Sequence, residues 1–103
     1  MRQFPGGAVR DTNANKPRYD LIPPEALYRV AMHYTTGAQK YGVDNYKNGM
    51  PREVFIESAF RHFEAMRAGK HDEDHAAAVI WNILSLMWLE STYEISVNTA
   101  GNQ

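Results

Sequence analysis

The stretch from Ala76 to Leu89 constrains this chain more than any other, because only Asn82 and Ser85 interrupt its apolar residues. A helix over these residues would be apolar nearly all the way round, and such a helix is buried on all sides. It is too short and too polar to span a bilayer. It must therefore lie inside protein. A chain of 103 residues is one domain with a modest core. Two other helices cannot bury the third well in one small subunit, so burial in a homodimer or homotetramer is expected.

Two further helices precede it. Pro23-Pro24 sets up a helix start. Leu27, Val30, Ala31, Tyr34, Ala38 and Tyr41 then share one face, and Gly42 is a stop, with Gly37 as an earlier place to end. Pro51 opens a second helix over about 51–68, with an inward stripe of Phe55, Ala59, Phe63 and Met66 widened by Ile56 and Phe60. Gly69 closes it, Asp72 is a candidate N-cap for the third helix, and that helix is expected to end at about Glu90 or a little beyond. Residues 1–15 read as an arm and 96–103 as a frayed polar tail. No segment alternates convincingly as a strand. The fold class expected is all-α: three main helices with an extended N-terminal arm, completed as an oligomeric helical bundle.

Eleven basic residues against 12 acidic ones leave a net charge of −1, which argues against direct nucleic-acid binding. With no cysteine there are no disulfides or thiolate metal sites, so His, Asp and Glu are the available metal ligands. Met1 leads into polar, Gly-rich sequence without an apolar signal segment, so a cytoplasmic location is expected.

Polar chemistry concentrates in three places. On the second helix Glu57, Arg61 and Glu64 share a face, either as a solvated ion-pair ladder or with Arg61 turned to phosphate. Ser58 and His62 lie on the neighbouring face. The run His71-Asp72-Glu73-Asp74-His75 at a helix start is either capping chemistry or a cation site. Asn82 falls on the face of His75, and its amide either braces a helix partner or projects into a polar pocket. The third place is the loop–helix–loop segment 16–46: Lys16, Arg18 and Lys40 can meet phosphates, Tyr19, Tyr41 or Tyr46 can stack on a base, and Asp20 or Asn45 can read base or sugar edges.

Several of these motifs occur together in a known order. Gly7-Ala8-Val9-Arg10, Lys16-Pro17-Arg18-Tyr19-Asp20-Leu21-Ile22-Pro23 and Gly37-Ala38-Gln39-Lys40-Tyr41-Gly42 with Asn45-Tyr46 resemble the phage-encoded dATP/dGTP diphosphohydrolases. Ser58, Arg61-His62, Gly69, Asp72-Glu73 and His75 followed by Trp81-Asn82 continue the pattern, which covers roughly residues 7–90. These MazZ-type enzymes are relatives of the MazG-like all-α nucleotide pyrophosphohydrolases. The resemblance implies an oligomeric, metal-dependent hydrolase that cuts a purine deoxynucleoside triphosphate into monophosphate and pyrophosphate, in the host cytoplasm if phage-encoded. The MazG pattern has two Glu spaced i, i+3 on one helix; the second helix here carries Glu57 and Glu64, seven apart.

Taken together, the expected site has Mg²⁺, or alternatively Mn²⁺, held or oriented by Asp72, Glu73 and His75, with His62 or Glu57 from the second helix. Glu73, Asp72 and His62 are the candidate catalytic residues. Lys16, Arg18, Lys40 and Arg61 bind phosphates, and Tyr19, Asp20, Tyr41, Asn45 and Asn82 shape the purine nucleoside pocket. Two other readings use the same residues. One is a His-Asp phosphohydrolase built on His71-Asp72 with His33, His62 and Asp74. The other is a helical nucleotide-binding module without turnover.

Overall fold

The computed structural model describes residues 2–12 and 15–99, with side chains through residue 92. Three α-helices dominate: α1 (Pro24–Tyr41), α2 (Arg52–Arg67) and α3 (His75–Thr99). The fold is all-α, as the apolar periodicity implies. Two-residue strands β1 (Arg2–Gln3) and β2 (Val9–Arg10) pair antiparallel in the arm, a small hairpin that residue alternation does not announce. Met1, residues 13 and 14 of the arm, and residues 100–103 of the expected tail lie outside the described residues.

Helix limits follow the expected breakers. Pro24 occupies the first turn of α1, where its missing N–H costs nothing. The helix runs through Gly37 and stops at Gly42, whose φ of 95° suits glycine and whose N–H donates to the Ala38 carbonyl. Pro51 precedes α2, and Gly69, at φ 78°, turns the chain out of it. Two expectations are corrected at α3. Its N-cap is Asp74 rather than Asp72: Asp74 Oδ1 accepts the Ala77 N–H at 3.1 Å, three residues into the helix. Its end lies at Thr99 rather than near Glu90. No glycine or proline follows until Gly101, and Ser91 and Thr92 turn their hydroxyls back onto the Trp88 and Leu89 carbonyls instead of competing with the helix.

α3 is central, packing extensively on α2 and less on α1. Its buried face holds Ala77, Ala78 and Leu86, against Phe55 and Ala59 of α2 and Val30 of α1. Small residues on α3 let α2 approach closely, so Phe55 is fully enclosed and its ring meets Trp81 at 6.3 Å. The rest of the expected α2 stripe is not covered: Phe60, Phe63 and Met66 are exposed in the single chain. So are Ile80, Ile83, Leu84 and Met87 of α3. The radius of gyration, 18.5 Å, exceeds the roughly 13 Å of a compact chain this long. One chain alone therefore leaves α3 half wrapped, the shortage that its composition implies. Among the described residues no helix is long and apolar enough to cross a membrane.

Phe55 is the only large apolar side chain completely enclosed among the described residues. Phe55→Ala should lower the unfolding free energy by roughly 3–5 kcal/mol. Urea denaturation followed by circular dichroism at fixed protein concentration measures it, and a loss below about 1 kcal/mol would mean that the core does not depend on this ring.

Candidate functional site

The short connection after Gly69 brings the end of α2 against the start of α3. There His62 and His75 face each other with their Nδ1 atoms 2.9 Å apart. Glu73 Oε1 lies 3.7 Å from His62 Nδ1, and one ligand atom from each of His62, Glu73 and His75 falls within 4.8 Å of the others. Asp72 stands behind His75, its Oδ1 2.7 Å from Nε2. That hydrogen bond holds the Asp72 carboxyl below its ordinary value, so it stays ionised and can only accept. His75 Nε2 therefore donates this hydrogen bond, and Nδ1 is the nitrogen that faces His62.

Burial grades across this group. His75 is buried, His62 is half-buried, and Glu73 is half exposed at the rim. The arrangement thus has a fixed inner nitrogen and an open outer side where water or a phosphate oxygen can enter. Two imidazoles and a carboxylate, with a second carboxylate on the far ring nitrogen, have the composition of a divalent-cation site. The donor chemistry fits a cation with an affinity for nitrogen as well as oxygen.

Around this group, α1 is tied down by Arg29, whose guanidinium makes a two-pronged contact with Asp74 (Nε to Oδ2 2.8 Å, Nη2 to Oδ1 2.6 Å). His33, one turn further along α1, packs with its ring tilted against Trp81, the centroids 5.4 Å apart. Burial and then the nearby charge of His62 push the His33 imidazole below its ordinary value, while Glu73 and Asp74 pull the other way. His33 therefore lies within electrostatic reach of the His62–Glu73–His75 group. It also lines a cavity of about 540 Å³ between the C-terminal half of α1, the 42–50 loop and Trp81. Lys40, Tyr41, Asn45 and Tyr46 line the same cavity. A volume in this range suits a nucleoside-sized ligand.

The expected site residues thus divide. His62, Glu73 and His75 converge, with Asp72 as the carboxylate that orients His75. Lys40, Tyr41 and Asn45 gather at the cavity beside them. Tyr46 lines that cavity too, but its ring is engaged edge-on by Tyr34, Trp81 and Trp88, which makes it a wall of the pocket. Asn82 braces the helices: it is buried, and its Nδ2 donates to Ser58 Oγ of α2 at 3.2 Å and to the Ala78 carbonyl at 2.8 Å. Glu57 is exposed and outside the converging group. Of the two readings of Glu57, Arg61 and Glu64, the ion-pair ladder is not the one seen: Glu64 pairs with Arg67 at 2.8 Å, and Arg61 is exposed on a shallow groove of α2.

The arm residues are not brought to the cavity. Lys16 lines a separate hollow of the hairpin. Arg18 and Asp20 hold each other through two hydrogen bonds of 2.8 and 2.6 Å, and Tyr19 is exposed. His71 is exposed and outside the converging group, so the adjacent His71-Asp72 pair is not assembled as a His-Asp centre. The sequence reading gave little weight to Arg29 and His33. Their i, i+4 spacing puts both on one face of α1, which is the available signal.

Residues 6–97 match the family described as dATP/dGTP diphosphohydrolase, N-terminal. The chain belongs to this family. The match spans both halves of the converging group, the cavity and all three helices up to residue 97. Searches of curated proteins and of solved structures return no match. For a diphosphohydrolase family member, the juxtaposition of a cation-type donor set with an aromatic cavity is the feature of interest.

Asp74 gives this region a pH signature. The Arg29 hydrogen bonds hold its carboxyl down at about 2, against an ordinary 3.8. A carboxyl lowered by folding stabilises the fold above its unfolded value, and that stability disappears as pH falls through the folded value. The window is therefore pH 3.8 down to about 2. Because the side chain is 39% exposed, the contribution is discounted to on the order of 1 kcal/mol. Asp74→Ala should lower stability at neutral pH by about 1–2 kcal/mol, cap and ion pair together, and flatten the loss of stability across that window. Chemical denaturation at stepped pH checks both effects; an unchanged acid slope would remove Asp74 as its source.

Proposed function

We propose that the chain is a metal-dependent diphosphohydrolase of purine deoxynucleoside triphosphates, releasing the monophosphate and pyrophosphate. The observation that carries this reading is the convergence of His62, Glu73 and His75 beside the aromatic cavity, inside the stretch matched by the family. His62, Glu73 and His75 would hold a divalent cation, which when bound neutralises phosphate charge and polarises water. In the reaction the oxygen of a water molecule bonds to the α-phosphorus, the bond to the α,β-bridging oxygen breaks, and pyrophosphate leaves with the electron pair. Glu73, half exposed at the rim, is the group that would take the proton of the water.

The chain's other residues do the positioning. Asp72 fixes the ring orientation and tautomer of His75. Trp81, Tyr41 and Tyr46 offer faces and edges to a purine, and Asn45 offers an amide for a base or sugar edge. Lys40 at the same cavity suits a phosphate oxygen. His33 lines the cavity and lies within electrostatic reach of the cation group, so it could meet the phosphates of a bound nucleotide. A second copy of the chain, in a homodimer or homotetramer, would cover the exposed apolar residues of α2 and α3, and would lie close to the site because both helices carry it.

Incubation of each deoxynucleoside triphosphate with protein and a divalent cation should yield pyrophosphate and the purine monophosphate, and a chelator should abolish it. Glu73→Gln should reduce kcat by about 100-fold or more with the fold intact by circular dichroism. Release of triphosphate instead would point to the His-Asp chemistry, and saturable nucleotide binding without products would point to a binding module.

Light scattering in solution should give the mass of two or four chains. Phe60→Glu, on the exposed face of α2, should shift the population toward one chain, and a wild-type mass of one chain would exclude the covering copy.

A further inference from the structure

The pairing of His62 and His75 is unusual in that two ring nitrogens confront each other directly. Asp72 meets His75 through Nε2, so Nδ1 is the His75 nitrogen that faces His62 across 2.9 Å. Two ring nitrogens this close share either one hydrogen or one cation. Two nitrogens on one tetrahedral ion with bonds of about 2.1 Å lie about 3.4 Å apart, so a small separation of the two rings would admit an ion. Glu73 adds an oxygen on the same side, 3.7 Å from His62 Nδ1, and as a half-exposed side chain it can swing closer.

From this donor set we infer that the site selects a nitrogen-preferring divalent transition ion, of the Co²⁺ and Zn²⁺ type, over Mg²⁺. Mg²⁺ keeps water and takes carboxylate and phosphate oxygens, and it has little affinity for imidazole. Here two of the three inner donors are imidazoles, and the buried one is held in register by a carboxylate, the arrangement that orients histidine toward a metal. Asp72 is then a positioning residue, acting on the metal through His75. Glu73 is half exposed at the rim, so phosphate oxygens could reach a bound ion from the solvent side.

This inference rests on the metal-dependent reading above, and its test separates the two. Chelator-treated full chain is titrated with Co²⁺, Zn²⁺ and Mg²⁺ in the absence of nucleotide, by calorimetry and, for Co²⁺, by its visible absorption. One equivalent of Co²⁺ or Zn²⁺ should bind at least about 100-fold more tightly than Mg²⁺. His62→Asn should abolish the Co²⁺ spectrum. Asp72→Asn should weaken Co²⁺ binding by about 10–100-fold with helical content unchanged. If His75→Gln fails to fold because that residue is buried, the wild-type ranking and the His62 and Asp72 variants still decide. Equal or tighter Mg²⁺ binding, no Co²⁺ binding, or Co²⁺ binding indifferent to His62→Asn would each overturn the assignment. Turnover supported by Mg²⁺ alone would overturn it while leaving the proposed reaction intact; tight Co²⁺ binding with no turnover of any nucleotide would uphold the site and sink the reaction.

Discussion

The structure depends on a buried polar seam along α3. Among the described residues three polar side chains are buried, His75, Asn82 and Ser85, and each reaches another helix. His75 meets His62, Asn82 meets Ser58, and Ser85 shares a hydrogen bond of 2.9 Å with Tyr34 of α1. A helix as apolar as α3 could otherwise rotate or slide against its neighbours at little cost, since one apolar face packs much like another. A buried amide or hydroxyl left without a partner costs on the order of 1–3 kcal/mol, so only one register satisfies all three. Near the N-terminus of α3 that register sets the two imidazoles face to face.

Much of this was legible in the residues. Pro23-Pro24, Gly42, Pro51 and Gly69 mark helix limits because their backbones permit little else. The spacing of Asn82 from His75 indicates a shared face, and both turn toward α2. Less legible was anything decided by competition between neighbours. Asp72 and Asp74 are both acceptable caps; Asp74 takes the role because it sits one residue before the helix while Asp72 is drawn to His75. Glu64 has Arg61 and Arg67 both within reach along the helix and bonds Arg67. Arg18 and Asp20, read as ligand-binding groups, satisfy each other two residues apart. Side-chain type and spacing do not encode which of two good partners wins.

Sequence patterning also understates what the imidazoles do. A His at the edge of an inward stripe reads as a boundary residue, and His62 is half-buried, as such a residue would be. Its meaning comes from a second His 13 residues away and from the turn at Gly69 that folds one onto the other. The aromatic cavity has the same character. Its walls come from α1, the 42–50 loop and α3, and no single segment announces it.

The turn at Gly69 also bears on the order in which the molecule assembles. The contact between His62 and His75 spans 13 residues, whereas Arg29–Asp74 and Tyr34–Ser85, which fasten α1, span 45 and 51. Closing the longer loops costs about 1 kcal/mol more chain entropy. The α2–α3 hairpin is thus the local unit, able to form first with the facing imidazoles already in it, and α1 docks afterwards to wall in the cavity. A folding chain would then bring the two imidazoles together before it closes the cavity.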